Sequence, residues 1–400
     1  KNQILDAVYE LSHAKNLESF HKNIELIKAP GLNIMYGDAK GNIAWWATGK
    51  LYKLKSNSNR KFILNGASGE DDPSEYLDFS NNPMAENPDW NYVYSANNQP
   101  DTIANVLYPG YYLPEDRARR IVQLLEPKNN WNKETMASMI NDNTSTVSLE
   151  IIKEFTSKMS YGSFSKNEQS AIDLLQLWDG SNNVDDIAPT IYNKWIYLYL
   201  RNTFEDELGE DLFTQLMSTY LMKRVIGNHI KETNSIWWDD IKTPNISETR
   251  EAILAKSLVE TVAELEKQLG KDIKYWNWGK IHTLEHPHPL GTVNYLKKYF
   301  NIGPFPIKGG KEVIDNQAFE YDNTGIYKVA SGPSTRRIVD FSDIENSISI
   351  LPTGQSGNPF SKHYSDQAEM YNKGEFRKMK MNKEEIIKTS TKLIILPKNE

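Results

Sequence analysis

The most informative stretch of this sequence reads Gly354-Gln355-Ser356-Gly357-Asn358-Pro359-Phe360-Ser361-Lys362-His363-Tyr364-Ser365-Asp366-Gln367. Its start has part of the nucleophile-elbow motif, in which a serine lies at the centre of G-x-S-x-G. Asn358 stands where that motif requires its last glycine. The composition of the stretch therefore favours a turn over a catalytic serine.

The residues on either side of this stretch alternate in the manner of β-strands. Two runs precede it, 337–341 and 347–351, and the turn-forming residues 343–346 between them predict a pair of neighbouring strands. A further apolar run, 393–396, predicts a strand that closes the chain. The C-terminal part is thus predicted to be a β-region.

The N-terminal part predicts helices first and strands afterwards. Residues 3–29 carry two apolar faces at helical spacing, which predict two short amphipathic helices. Residues 32–36 and 43–48 alternate with a period of two around a polar turn and predict a β-hairpin. Residues 92–96 predict a short strand that ends at Asn97-Asn98.

Between these regions, the pattern of residues 115–270 is helical. Its clearest member covers 247–269, with Leu254 and Leu258 among the residues of one apolar face and Gly270 at the expected stop. The order of the elements predicts an α+β fold with an all-α insertion.

Composition excludes several classes of protein. The chain has 400 residues, 39% hydrophobic and 25% charged, which is typical of a globular protein and not of a disordered or coiled-coil chain. A net charge of −7 without a basic stripe argues against nucleic acid as a partner. No apolar run approaches the length of a membrane span, and the absence of cysteine excludes disulfides, thiolate metal sites and a cysteine nucleophile.

The most metal-like stretch runs from His282 to His288 and contains three histidines and one glutamate. Pro287 and Pro289 favour extended backbone there, which argues against two ligands one helical turn apart. The glycines of 308–311 match neither a P-loop nor a dinucleotide fingerprint. We therefore predict no metal and no cofactor for this chain.

Aromatic residues suggest a rival function. The pairs Trp45-Trp46 and Trp237-Trp238 have the residue type that stacks on sugar rings, although most such residues lie in cores or interfaces. A glycan-binding protein thus stays open as an alternative to an enzyme.

Seven further segments, together with 354–367, resemble the penicillin acylase family of N-terminal-nucleophile (Ntn) amidohydrolases. In chain order they are Tyr36-Gly37-Asp38-Ala39-Lys40-Gly41-Asn42-Ile43 with Thr48-Gly49, Ala96-Asn97-Asn98, Asp116-Arg117-Ala118-Arg119-Arg120-Ile121, Leu177-Trp178-Asp179-Gly180, Trp278-Gly279-Lys280-Ile281-His282, His288-Pro289-Leu290-Gly291 and Gly303-Pro304-Phe305-Pro306. Each segment alone is a weak signal, and their common order is what makes the resemblance specific.

The resemblance implies a mechanism. In this family the first residue of the processed chain, a serine, attacks the amide, and its own α-amino group acts as the base. An α-amino group has a pKa of about 7.7 to 8.0, so it can accept the hydroxyl proton near neutrality without a histidine. The implied reaction is hydrolysis of an N-acyl amide such as a penicillin or an acyl-homoserine lactone.

The resemblance also assigns two catalytic roles within this chain. The Asn of the family's strand-tip motif falls on Asn97, whose amide is expected to stabilise the oxyanion. The family's active-site arginine falls on Arg117, which is expected to hold the catalytic groups in position. The alternatives are a turn at Asn97 and an ion pair of Arg117 with Asp116 or Glu115, and for Asn98 the turn is favoured.

The sequence departs from the family at its start. It begins with Lys1, and its first segments resemble the interior of the family's nucleophile chain, so we expect the nucleophile outside this sequence and no activity from this chain alone. Calcium, which family members bind, is expected only in a complete parent protein, because Asp101 is the one acidic residue between Asn98 and Glu115.

The fold implied by the resemblance is part of an Ntn-hydrolase αββα sandwich. Residues 1–125 and 276–400 would form the sandwich, and residues 126–275 would form the helical insertion. Its expected partners are an N-acyl amide substrate and the remaining N-terminal part of the precursor, with self-association where sheet surface is uncovered. The resemblance implies a periplasmic or extracellular location, and a non-catalytic exported scaffold is a further alternative.

Overall fold

The computed structural model describes residues 3–53, 55, 62–73, 75–100, 102, 107–108, 110–157, 164–219, 221–311 and 313–397. The chain divides into two compact units, Lys1–Asn129 and Asn130–Glu400. The helices are α1 Ile4–His13, α2 Leu17–Ile24, α3 Asp116–Leu125, α4 Lys133–Ile140, α5 Thr146–Ser157, α6 Lys166–Gln176, α7 Ala188–Met217, α8 Leu221–His229, α9 Arg250–Leu269, α10 Asn294–Phe300, α11 Ala368–Lys373 and α12 Lys383–Thr389. The strands are β1 Asn33–Gly37, β2 Ile43–Ala47, β3 Met84–Glu86, β4 His282–His286, β5 Ile302–Pro306, β6 Ala318–Phe319, β7 Tyr327–Ser331, β8 Arg336–Ile338, β9 Ile348–Ile350 and β10 Arg377–Lys378.

The first unit packs α1 and α2 with an antiparallel sheet of order β1-β2-β3. Along β2 the side chains alternate, and Ala44 and Trp46 enter a core that they share with Ile24 of α2. The hairpin turn is closed by Asp38, which accepts hydrogen bonds from the side chain and backbone of Asn42, and these bonds lower the pKa of Asp38 to about 2. The two predicted helices and the hairpin are confirmed.

Two predicted strands are wrong. Residues 92–96 form no strand, and the backbone pairing next to them among the described residues is a single bridge between Asn98 and Leu113. Residues 393–396 also form no strand, and their side chains are 62–85% exposed. Both runs have strand-like composition, but strand propensity is realised only where a neighbouring strand is available for pairing.

The helical part of the second unit is built around α7 and α9, which pack against each other. Trp195 of α7 and Leu258 of α9 are fully buried in this core. Helix α9 begins where Thr249 Oγ1 accepts a hydrogen bond from Ala252 N at 3.2 Å, and it ends at Gly270. The predicted helical region is confirmed.

The second unit also contains two sheets. One has the order β5-β4-β7-β6, in which β4 and β7 run parallel, and the other has the antiparallel order β10-β9-β8. Strands β8 and β9 are the pair predicted on either side of residues 343–346. With strands on both sides of the helical region, the predicted α+β class is confirmed.

The predicted division at residues 125 and 275 stays a prediction. Among the residues that the structure describes, no helix is long and apolar enough to cross a membrane.

Candidate functional site

Asn97 lies at the end of the extended segment 92–96, directly after the buried Ala96. Its φ angle is +63°, in the left-handed region that asparagine tolerates better than most residues. The carbonyl oxygen of Asn97 accepts a hydrogen bond from Leu113 N at 2.8 Å. The backbone on both sides of the exposed Asn97 side chain is therefore anchored.

Arg117 lies in the first turn of α3 and fixes the orientation of the Asn97 amide. Its Nη2 donates to Asn97 Oδ1 at 2.9 Å and to Ala96 O at 2.8 Å. A guanidinium group can only donate, so the amide oxygen must face it. The amide nitrogen, Nδ2, points elsewhere and makes no hydrogen bond to any described residue.

The structure thus brings together the two residues singled out in the sequence, which are 20 positions apart. Asn98 is placed differently, because its Nδ2 donates to Gln99 O at 3.4 Å and its backbone forms the bridge with Leu113. The Asn98 amide is therefore held by the adjacent backbone, and the backbone of Asn98 lies in a β-bridge rather than in the turn that the sequence favoured. The arrangement at Asn97 offers a fixed amide donor with no partner among the described residues, the type of group that stabilises a developing oxyanion.

The Asn97 side chain lines a cavity of about 1020 Å³ within the first unit. Most of the wall is apolar or aromatic and includes Leu32, Trp45, Met84 and Tyr112. Pockets that bind small molecules have this character, with a few polar groups placed at one point of an apolar wall.

The cavity was not predicted from the sequence, although the alternation of side chains along β2 indicates one of its walls. Trp46 points into the core and donates from Nε1 to Glu86 Oε1 at 2.8 Å, so the strand period places Trp45 on the opposite, cavity-lining face. Trp238 is only 2% exposed. Trp46 and Trp238 are therefore core residues and offer no stacking platform for sugars, whereas Trp45 is available to a ligand in the cavity.

The electrostatics of the cavity wall favour neutral groups. Burial raises the pKa of Tyr112 and of Tyr92, so both phenols stay protonated near neutral pH. Glu115 and Arg119 are the charged residues among the lining side chains in the described part of the chain. An apolar, uncharged group is the ligand that this wall suits best.

The histidines of the 282–288 stretch have separate roles. His282 is fully buried, stacks on Trp278 with ring centroids 4.6 Å apart and donates from Nδ1 to Tyr327 O at 2.8 Å. His288 Nδ1 accepts a hydrogen bond from Leu290 N at 3.1 Å and caps a short 3₁₀ turn. The described residues contain no group of three or more His, Asp or Glu side chains placed to hold a metal ion.

The most informative stretch, 354–367, folds back on itself as a loop. Gly354 N donates to Tyr364 O at 2.8 Å, and Ser356 N donates to His363 O at 3.0 Å. A Cβ atom at Gly354 would lie 1.9 Å from His363 O, so only glycine permits this close approach. The predicted turn is confirmed.

The sequence is similar to known proteins over most of its length. A family model described as penicillin amidase matches residues 1–388. QuiP, an acyl-homoserine lactone acylase of Pseudomonas aeruginosa, is 29% identical over 408 residues, which cover 94% of this chain and 47% of that protein. Penicillin G acylase of Escherichia coli is 23% identical over 378 residues, which cover 85% of this chain and 42% of that protein. The chain therefore spans about half the length of the curated relatives it matches.

A solved structure gives independent evidence on the fold. The thermostable penicillin G acylase from Alcaligenes faecalis matches with a TM-score of 0.64 and 16% sequence identity, and the match covers 99% of this chain and 73% of that one. This likeness confirms the predicted Ntn-hydrolase fold. Because the family model matches nearly the whole sequence, the chain belongs to the penicillin amidase family.

Proposed function

We propose that this chain supplies the oxyanion donor and part of the acyl-binding wall of an enzyme that hydrolyses N-acyl amides. The observation that carries the proposal is the pair of hydrogen bonds from Arg117 Nη2 to Ala96 O and Asn97 Oδ1. These bonds orient the Asn97 amide nitrogen, which has no partner among the described residues, at the wall of an apolar cavity. Membership of the penicillin amidase family supports the same reaction class.

The nucleophile in this proposal comes from polypeptide outside this sequence. It is a serine at the start of a processed chain, and its α-amino group takes the hydroxyl proton as the serine oxygen attacks the amide carbon. The negative charge that forms on the carbonyl oxygen is stabilised by Asn97 Nδ2. The C–N bond then breaks, the amine leaves with the proton, and water hydrolyses the acyl-enzyme to release the carboxylic acid.

Arg117 acts in this scheme as a positioning residue. It holds the amide oxygen of Asn97, so the Nδ2 donor has its orientation before substrate arrives and no reorganisation is needed in the transition state. A fixed guanidinium beside the site also places a positive charge near the developing oxyanion.

The proposed substrate is an amide with an apolar acyl group, because the cavity wall carries Leu32, Trp45 and Met84. The relatives are named for acyl-homoserine lactones and for penicillin G, and both classes are candidates for this protein. We propose an exported protein that joins the rest of its precursor, with this chain inactive alone. We propose calcium only for such a longer protein, and no step of the proposed reaction uses a metal. Asp101, the one acidic residue between Asn98 and Glu115, lies outside the described residues.

The test is Asn97→Ala in the longer natural protein, assayed with acyl-homoserine lactones and penicillin G. Removing one oxyanion donor is expected to lower kcat by about 10²- to 10³-fold while KM changes little. Asn98→Ala is the matched control, because the Asn98 amide donates to Gln99 O and is not oriented by Arg117, and this variant should retain near-normal kcat. A folded Asn97→Ala enzyme with normal kcat would refute the assignment of Asn97.

A second variant tests the positioning role. Arg117→Lys keeps a positive charge but cannot bond Ala96 O and Asn97 Oδ1 in the same geometry, so we expect a lower kcat and a nearly unchanged KM. If the variant instead has a raised KM and an unchanged kcat, Arg117 acts in substrate binding and not in positioning Asn97. A folded wild-type protein without amidase activity that binds glycans on an array would favour the non-catalytic alternative.

A further inference from the structure

The second unit contains a polar pocket that the proposed reaction does not use. Its volume is about 400 Å³, and it is formed mainly by the 354–367 loop together with β10. The polar side chains that line it include Ser356, Ser361, His363, Asp366, Gln367 and Arg377. The pocket is large enough for a small molecule rather than only an ion.

Gln367, a largely buried residue, provides an amide donor at this pocket. The residue is only 2% exposed, and its Oε1 accepts a hydrogen bond from Leu351 N at 3.1 Å. Since the oxygen already accepts from the backbone, the amide nitrogen Nε2 is the donor that can bind a ligand. Nε2 makes no hydrogen bond to any described residue. An amide donor on a pocket wall with no partner among the described residues is available to a ligand.

Two serine hydroxyls present further donors. Ser356 Oγ accepts from Asn358 N at 3.1 Å, and Ser361 Oγ accepts from His363 N at 3.2 Å. Both oxygens therefore use an acceptor position, and neither hydroxyl donates to another described residue. Each keeps its O–H for a ligand.

The charges around the pocket favour an anion with a single negative charge. Arg377 contributes a guanidinium group that forms no ion pair with any described carboxylate. The acidic lining residue, Asp366, is already engaged, because its Oδ2 lies 2.9 Å from His363 Nδ1. A dianion would meet repulsion from this aspartate, whereas a carboxylate would match the planar guanidinium with less opposition.

From the donors that line this one pocket we infer that the pocket between the 354–367 loop and β10 binds a small carboxylate, held by Arg377, Gln367 Nε2 and the two serine hydroxyls. The inference is independent of the proposed amidase reaction, since none of these residues belongs to the Asn97 site.

The probe is acetate, with propionate as a longer homologue, titrated into the full chain at constant ionic strength and followed by NMR of the ¹³C-labelled ligand. We expect saturable binding that Arg377→Gln weakens by about tenfold or more. Gln367→Glu keeps the acceptor for Leu351 N but replaces the donor with a negative oxygen, so it should abolish binding. Circular dichroism and urea unfolding establish that each variant is folded.

Arg337→Gln is the matched control. Arg337 is exposed and pairs with Ser349 on the opposite side of β9 from Arg377, yet it does not line the pocket. Its loss should change acetate affinity by less than about twofold at physiological ionic strength, where surface charges are screened. Equal losses in the two arginine variants, no saturable binding in the wild type, or tighter binding of inorganic phosphate than of acetate would each overturn the carboxylate assignment.

Discussion

Breaking one buried ion pair should destabilise the second unit far more than breaking an exposed pair. Arg336 and Asp315 have side-chain exposures of 4% and 1%, and Arg336 Nη2 lies 2.5 Å from Asp315 Oδ1. Arg336 Nη1 also donates to Tyr371 O at 3.2 Å, and the guanidinium stacks over the Tyr371 ring at 4.2 Å. Arg336→Met keeps much of the side-chain volume but removes the charge and every hydrogen bond.

The expected loss can be worked out from what remains around Asp315. Gln317 Nε2 still donates to Asp315 Oδ1 at 3.0 Å, but Oδ2 has no partner among the described residues even in the wild type. Removing one member of a buried pair typically costs about 3–5 kcal/mol, because the other charge stays buried. Burial raises the pKa of Asp315, and Arg336 opposes that rise. In Arg336→Met the pKa of Asp315 should rise further, so the stability lost is greater at pH 7 than at pH 5.

Urea unfolding followed by tryptophan fluorescence measures this loss. With an m-value of about 3 kcal/mol/M, the midpoint should fall by about 1–1.7 M at pH 7. The double variant Arg336→Met with Asp315→Asn should recover much of the loss, since no charge is then buried alone. Lys373→Met, which breaks the exposed pair with Glu369, should leave the midpoint unchanged. Equal midpoints for Arg336→Met and Lys373→Met, or a loss independent of pH, would refute this reasoning.

Two further predictions concern stability. Burial lowers the pKa of His282 to about 4, so below about pH 6.5 the unfolded chain binds a proton that the folded chain does not. The free energy of unfolding should therefore fall by about 3 kcal/mol between pH 6.5 and pH 4. Urea titrations at several pH values should show a smaller pH dependence for His282→Gln. Gly354→Ala should lower the free energy of unfolding by about 1–3 kcal/mol, because the new Cβ would lie 1.9 Å from His363 O. Gly357→Ala should not lower it, because a Cβ there meets nothing within 4 Å. Thermal unfolding of both variants distinguishes a steric clash from a general effect of replacing glycine.

The parts of the fold that the sequence predicted well are those determined by local chemistry. Helix α9 has its stop at Gly270, and the β1–β2 hairpin has a turn closed by Asp38, so both could be found without knowing their neighbours. The runs 92–96 and 393–396 failed because a strand also needs a partner, and no local pattern reveals whether one is present.

The candidate site also has a part that the sequence predicted and a part that it did not. Asn97 and Arg117 were singled out through the family resemblance, and the structure adds the hydrogen bond between them. No spacing rule could have supplied that contact, because it depends on where α3 begins relative to the 92–96 segment. The cavity was missed because its wall combines residues from β1, β2 and the segments near positions 92 and 112, which approach one another only after folding.

The Asn97 amide is aimed from α3, whereas Trp45 and Met84 of the cavity wall belong to the β1-β2-β3 sheet. In the reaction proposed above, the oxyanion donor and the wall for the acyl group would therefore rest on two separate supports. Replacing Trp45 with a smaller residue should reshape the space for substrate while the donor keeps its direction. For the proposed reaction, substitutions in the β1-β2-β3 sheet should therefore change substrate preference without changing the orientation of Asn97.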